Sequence, residues 1–418
     1  MNGESKLVGH QADSGAFKPL ANVRVLDFSK ILAGPLCTQY LADLGADVIK
    51  VEPPAGDDTR EWPPHENGVG TIFVAVNRNK RALVVDLKRP EGLALCRRLA
   101  SKSDVVVESF GPGVADRLGI GWEVMRAVNP RLVYASISGY GTKGPMEGEK
   151  GYDLIAQAFT GMLSLTGEPG GPPARSPFSP IDQATGYHAV IGILAGLIQR
   201  DQTGVGVKIE ASLFDSAVGF LGYFLQSYWQ RGVEPVRPGS GHESLCPYQA
   251  FDTADRPIIL GIANDGFWRS FCDLVRRPEL ASDPRFATGA KRVTNRETVV
   301  ALVADLLRER TRSQWLADLG ERNIPASPVH SLGELSAHPH TEASGMVLHD
   351  GDFQTVATPL RAAGERLELH RRPPRLGQHS REIANELGMS ADEIERLFAE
   401  GVISEPSPDT VQHHHGGE

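Results

Sequence analysis

Between Val23 and Ser138 the chain alternates short apolar runs with helical patterns, and this alternation limits the possible folds more than any other feature. VRVLDF (23–28), ADVIKVE (46–52), RALVVDL (81–87), DVVVESF (104–110) and RLVYASIS (131–138) each have the length and β-branched content of one buried strand. In the first gap, Pro35 sits well as the first residue of a helix. Leu36, Tyr40, Leu41 and Leu44 share one face of it, and Gly45 ends it. A second helix opens at Pro90-Glu91-Gly92, and shorter ones are predicted around Val114–Leu118 and Trp122–Val128. Strand–helix–strand units of this kind pair in parallel with right-handed crossovers, so an open, mostly parallel α/β sheet is predicted. VKIEAS (207–212) reads as a further strand, followed by one long apolar helix through Phe220 and Phe224 to Trp229.

A chain of 418 residues is too long for one small core, so two domains are expected. EPVRPGSGHESLCP (234–247) is rich in Pro, Gly and Ser and reads as the linker. Beyond it, strands at YQAFDT and PIILGIA and helices at FWRSFCDLVRR, RETVVALVADLLRER and RSQWLADLGER describe a smaller α+β domain. Strand-like pieces (GMVLHD, TPLRA) and a helix from about Ser390 to Glu400 follow. The polar N-terminus reads as a flexible arm, and the tail ending in VQHHHGGE as disordered.

Composition excludes several classes. The apolar runs fall short of the roughly 20 residues that span a bilayer, and no signal-peptide core precedes the first strand. A net charge of −9 argues against nucleic acid as the partner. The four cysteines are widely spaced and read as buried thiols, with neither disulfides nor a metal site expected. A cytoplasmic, metal-free globular protein is the expectation. Gly139-Tyr140-Gly141-Thr142-Lys143-Gly144 matches GxGxxG, but Pro145 and the loop after it open no helix, which argues against a dinucleotide site. There is no GxxxxGK[ST] loop for ATP and no GxSxG elbow for a hydrolase.

The remaining chemistry gathers in 150–201. Two helical patterns flank a Gly/Pro-rich loop, with Tyr152 and Asp153 at the start of the first and Asp182 where the second begins. Asp182 reads either as an N-cap or as a working carboxylate, and in both cases the helix dipole should keep it ionised. Two converging helix N-termini would offer backbone N–H groups to an oxyanion. Lys30, Arg60, Lys80, Arg81, Lys88, Arg117 and Lys150 all fall in or beside loops of the α/β domain. They suit a multiply phosphorylated ligand, or equally are scattered solubilising charge.

SKILAGPLCTQYLADLGADVIKVEPPAGDDTR, NRNKRALVVDLKRPEG, SDVVVESFGPGVADRLGIGWE, NPRLVYASISGYGTKGP and GYDLIAQAFTGMLSLTGEPGGPP together resemble the class III coenzyme A transferases. That group includes formyl-CoA transferase, the carnitine-CoA transferase and the related α-methylacyl-CoA racemases. The resemblance implies a large Rossmann-like domain (21–233) after an arm (1–20), then the linker (234–247) and the small domain (248–345). A segment (346–405) would return to the large domain ahead of the tail (406–418), and two chains would form an interlocked homodimer. It implies an aspartate, here Asp182, that attacks an acyl-CoA thioester and later carries CoA as an aspartyl thioester. CoA and acyl-CoA would be substrates, with no tightly bound cofactor. Lys30, Leu32, Ala33, Val85, Lys88, Ser109, Phe110, Arg117, Lys150 and Tyr152 resemble the family's CoA contacts, and Arg60 is expected to join them. Asp153 falls where formyl-CoA transferase has a catalytic glutamate. Leu32 replaces that enzyme's glutamine, which argues against oxalate or formate. Tyr152 replaces the racemases' histidine, which favours transfer over racemisation, and the retention of Asp182, Tyr152 and Asp153 in their motifs argues against mere CoA binding. The overall look is nearest to members using dicarboxylic acids such as succinate, and Arg175 could meet a distal carboxylate.

Overall fold

The computed structural model describes Phe17–Pro406; the expectations for most of the N-terminal arm and for the C-terminal tail lie outside the described residues. The chain divides into two compact units. Within the described span, the first takes Phe17 to Ala156, then Phe178–Phe220, then Ser344 to Pro406. The second takes Gln157–Pro177 and Leu221–Ala343.

The first unit is built on a seven-stranded sheet. Its strands are β1 (Arg24–Asp27), β2 (Asp47–Glu52), β3 (Lys80–Val85), β4 (Val105–Glu108), β5 (Val133–Ser138), β6 (Val207–Ser212) and β7 (Ile403–Ser404). Their spatial order is β7-β3-β2-β1-β4-β5-β6. All neighbours pair in parallel except β7, which runs antiparallel to β3 with Ile403 opposite Val85. The chain winds outward from β1 through β2 to β3, then restarts on the other side at β4. Residues after β1 and β4 therefore diverge to opposite faces and leave a crevice between them.

Successive strand residues point to opposite faces, and here both faces are covered. On one, Leu26, Ile49, Leu83, Val106 and Tyr134 pack against Leu95 and Leu99 of α2 (Pro90–Ala100). On the other, Val25, Val48, Val105 and Val133 pack against Cys37 and Leu41 of α1 (Ala33–Asp43) and Ala189 and Ile193 of a 24-residue helix, Pro180–Thr203. The C-terminal stretch joins the first of these layers through Ile383, Leu387, Leu397, Val402 and Ile403. All four cysteines are free and buried.

Three expectations need correction. The helix Pro180–Thr203 is long and apolar enough to cross a membrane by length and composition, contrary to the reading of the runs. It is a core helix, and its Ile181, Ala189, Ile193 and Leu197 face is buried in the unit. The single helix expected through Trp229 is two, Leu213–Phe220 and Gly222–Arg231, because Gly219 and Gly222 weaken the helix at the joint. The division into units also falls at Leu221 and encloses Gln157–Pro177, where composition had pointed to a linker at 234–247. The Pro- and Gly-rich stretch is tied down inside the second unit, with Arg237 donating to the Gly171 carbonyl at 2.6 Å.

The second unit has its own core of Trp268, Phe271, Phe286, Val299, Val303, Trp315 and Leu319. It backs a three-stranded antiparallel sheet of Tyr248–Phe251, Ile258–Gly261 and Ala326–Pro328. Trp315 satisfies its indole N–H on the Leu307 carbonyl at 2.8 Å.

Candidate active site

A cavity of about 280 Å³ lies in the crevice of the first unit, at the carboxyl ends of the strands. The β1–α1 turn contributes Lys30, Ile31, Leu32 and Ala33; the loop after β4 contributes Ser109, Phe110, Gly111 and Pro112. The two are stitched together where the Lys30 amide donates to Ser109 Oγ at 2.9 Å. Ile137, Ser138 and Gly139 at the end of β5, Glu149–Tyr152, Leu213 and Asp182 complete the wall. Gly139 and Gly151 press backbone to backbone: a Cβ on Gly151 would lie 2.4 Å from the Gly139 Cα. Only glycine at both positions lets the Lys150–Tyr152 loop sit on the end of β5.

Asp182 is the third residue of its helix, now α5 in a series that adds α3 (Val114–Arg117) and α4 (Asp153–Phe159) to α1 and α2. It is not the N-cap. Ser179 occupies that position at φ 50°, and its side chain makes no capping bond. Capping comes instead from Asp153, whose buried Oδ1 accepts the amides of Ile181 at 2.8 Å and Asp182 at 3.2 Å. Pro180 has no N–H, and Gln183 donates to the Ser179 carbonyl. The donors at the start of α5 are thus occupied, which overturns the expectation of an oxyanion hole at this terminus.

The expectation that the helix dipole keeps Asp182 fully ionised also needs correction. Burial first, and then the negative charge of Asp153, push its carboxyl up from 3.8 to about 7. A helix terminus stabilises an anion within its first turn, but this one already holds Asp153. A carboxyl that titrates near neutrality, in a cavity, is a candidate for chemistry.

The structure brings Lys30, Leu32, Ala33, Ser109, Phe110, Lys150, Tyr152 and Asp182 together on one cavity wall. Tyr152 is exposed to it, whereas Asp153 stands behind, buried. Others in the expected set are elsewhere. Arg60 is buried, bound through Nε and Nη2 to Glu52 at 2.7 Å each and stacked 3.6 Å from the centre of the Phe73 ring, so it has no charge to offer a ligand. Val85 is covered by β7 at the sheet edge. Lys80 and Arg81, from the basic group, are likewise committed to Asp27 and to Asp47, Glu382 and Glu386. Lys88 and Arg117 are exposed and do not line the cavity; Arg117 ends α3, which begins just after the lining loop. Arg175 belongs to the second unit, exposed, with its guanidinium on the Pro177 carbonyl at 3.3 Å.

Sequence reasoning missed Ile31, Glu149 and Gly139 as lining residues. Gly139 heads the GxGxxG run, so the run signals close backbone approach even though no helix follows. Among the described residues, no three His, Cys, Asp or Glu side chains are grouped to hold a metal ion.

The model for CoA-transferase family III matches residues 20–380. A succinyl-CoA:glutarate CoA-transferase from Mus musculus is 38% identical over 404 residues, covering 94% of this chain and 92% of the relative. A succinate–glutarate CoA-transferase from Agrobacterium fabrum is 37% identical, covering 88% of this chain and 96% of its own. The crystal structure of a CAIB/BAIF family protein from Brucella suis superposes with a TM-score of 0.82 at 38% identity, over 88% of this chain and 99% of that one. The chain belongs to CoA-transferase family III and is a CoA-transferase.

Proposed function

We propose that this enzyme moves CoA between two carboxylic acids through covalent intermediates on Asp182, with a dicarboxylic acid such as succinate as donor or acceptor. The observation that carries the reading is the position of the Asp182 carboxyl, on the wall of the switch-point cavity with Lys30, Ser109, Lys150 and Tyr152. Ionised Asp182 attacks the thioester carbonyl of the acyl-CoA. The C–S bond breaks, CoA leaves as thiolate, and a mixed anhydride remains on the enzyme. The thiolate then attacks the aspartyl carbonyl and releases the donor as a free carboxylate. An acceptor carboxylate attacks the aspartyl-CoA thioester, frees the thiolate again and forms a second anhydride. Attack of the thiolate on its acyl carbon gives the new acyl-CoA and restores Asp182. No proton is gained or lost over the cycle, which is consistent with a site that contains one reactive carboxylate.

One point supports a dicarboxylate: the relatives from mouse and Agrobacterium are named for succinate and glutarate. Incubation with succinyl-CoA followed by hydroxylamine or borohydride should modify Asp182, mapped by peptide mass spectrometry. Modification at another residue would refute the nucleophile.

A further inference from the structure

Ile31 lines the cavity with its backbone at φ 70°. A β-branched residue rarely enters the left-handed region, and such outliers persist only where surrounding structure enforces them. Here the Ile31 amide donates to both carboxylate oxygens of Asp57, at 3.3 Å each. Lys50 Nζ donates to the Ser29 carbonyl at 2.9 Å and to Asp57 Oδ2 at 3.0 Å, and the Lys50 and Asp57 side chains are both fully buried. Asp57 is fixed in turn, since its amide donates to Glu52 Oε2 at 3.0 Å and Arg60 grips that carboxylate. From the other side, Asp27 accepts the Ser29 amide at 2.9 Å and pairs with the buried Lys80.

Three acids (Asp27, Glu52, Asp57) and three bases (Lys50, Lys80, Arg60) therefore balance beneath one turn, and none of the six lines the cavity. Buried ion pairs add little net stability compared with apolar packing, and their better-attested use is to select one conformation. We propose that Asp57 is a positioning residue: with Lys50 it clamps Ile31 left-handed and so pre-forms the Lys30–Ala33 turn that receives acyl-CoA. The proposal rests on the CoA reading of the cavity. It also assigns the buried Arg60 a place, as the brace of Glu52 behind Asp57. Burial works against the Asp57 charge, but Lys50 and the Thr59 amide bring its carboxyl down to about 2. Burial likewise works against the Lys50 charge, yet Asp57 and Asp27 raise its ammonium. The clamp therefore stays charged at neutral pH.

The test is a double-mutant cycle read by calorimetric CoA binding. D57A should weaken binding by about tenfold or more, the scale of the strain released. In the I31G background glycine adopts φ 70° without the steric cost, so the same D57A loss should shrink to about threefold. Equal losses in the two backgrounds, or unchanged affinity on D57A, would overturn the clamp. If D57A does not fold, the charge-neutral pair D57N/K50M replaces it, with and without I31G. Amide hydrogen exchange of Ile31 and Leu32 without CoA gives a readout independent of the ligand. D57A should accelerate it, and unchanged protection rejects the proposal even if the enzyme binds a different thioester.

Discussion

The proposed attack on a thioester requires a charged Asp182, yet burial and Asp153 resist that charge and place its titration near 7. If Asp182 is the nucleophile, raising pH through that value creates the attacking carboxylate, so kcat/KM should climb with pH and level off above an inflection near 7. D153N keeps an oxygen to accept the Ile181 and Asp182 amides but removes the charge, so it should shift this inflection downward and retain turnover. An inactive D153N with native CoA affinity would instead make Asp153 a proton-transfer partner. D182N should abolish turnover with CoA affinity largely intact, as calorimetry can show. It also has a stability signature. The unfolded carboxyl titrates at 3.8 and the folded one near 7, so the folded state holds an extra proton between these values. Wild-type stability therefore falls as pH rises from about 4 to 7. Urea unfolding should find D182N more stable at pH 8 by about 2 kcal/mol, an order of magnitude discounted for partial exposure, and the difference should vanish below pH 4.

At the scale of elements, the site depends on how closely loops can approach the sheet's carboxyl edge. Gly151 against Gly139 is the tightest such approach on the cavity wall. G151A should cost about 1–3 kcal/mol in chemical denaturation and raise the KM for acyl-CoA, because the loop carrying Lys150 and Tyr152 must move. One lateral edge of the sheet is closed by β7, whose Ile403 is 1% exposed in the same core layer as Val85. I403A should destabilise by about 2–4 kcal/mol and leave the pH inflection of Asp182 unchanged, since only packing is lost. The strands were legible because each is a short apolar run with turn residues at its ends. β7 was not: Ile403–Ser404 is too short to show a period, and only pairing with β3 makes it a strand.

For the whole molecule, we propose a homodimer, as the family resemblance implies, that covers the outer face of α5, where Ile191 is 65% and Ile198 62% exposed. Apolar side chains in such a row on a core helix suit coverage by a second chain. Light scattering should give twice the 45.2 kDa of one chain, and I191E with I198E should shift the mass toward one. A monomeric wild type would reject this.

The sequence by itself determined the α/β sheet, its parallel winding, and Asp182 as the residue to watch, because strand runs, helix starts and motif order are written locally. It could not tell which charges were free. Arg60, Lys80 and Arg81 look like ligand-binding cations in one dimension, and the packed chain commits each to a buried or half-buried carboxylate. Nor could it reveal that Asp153, 29 residues ahead of Asp182, caps the helix that carries Asp182 and raises the pKa of that carboxyl. Partner choice and desolvation are set by what lies within a few ångströms in space, and spacing along the chain does not encode that. Asp182 was visible in the sequence; its protonation, its capping partner and the clamped turn beside it were decided by the tertiary structure.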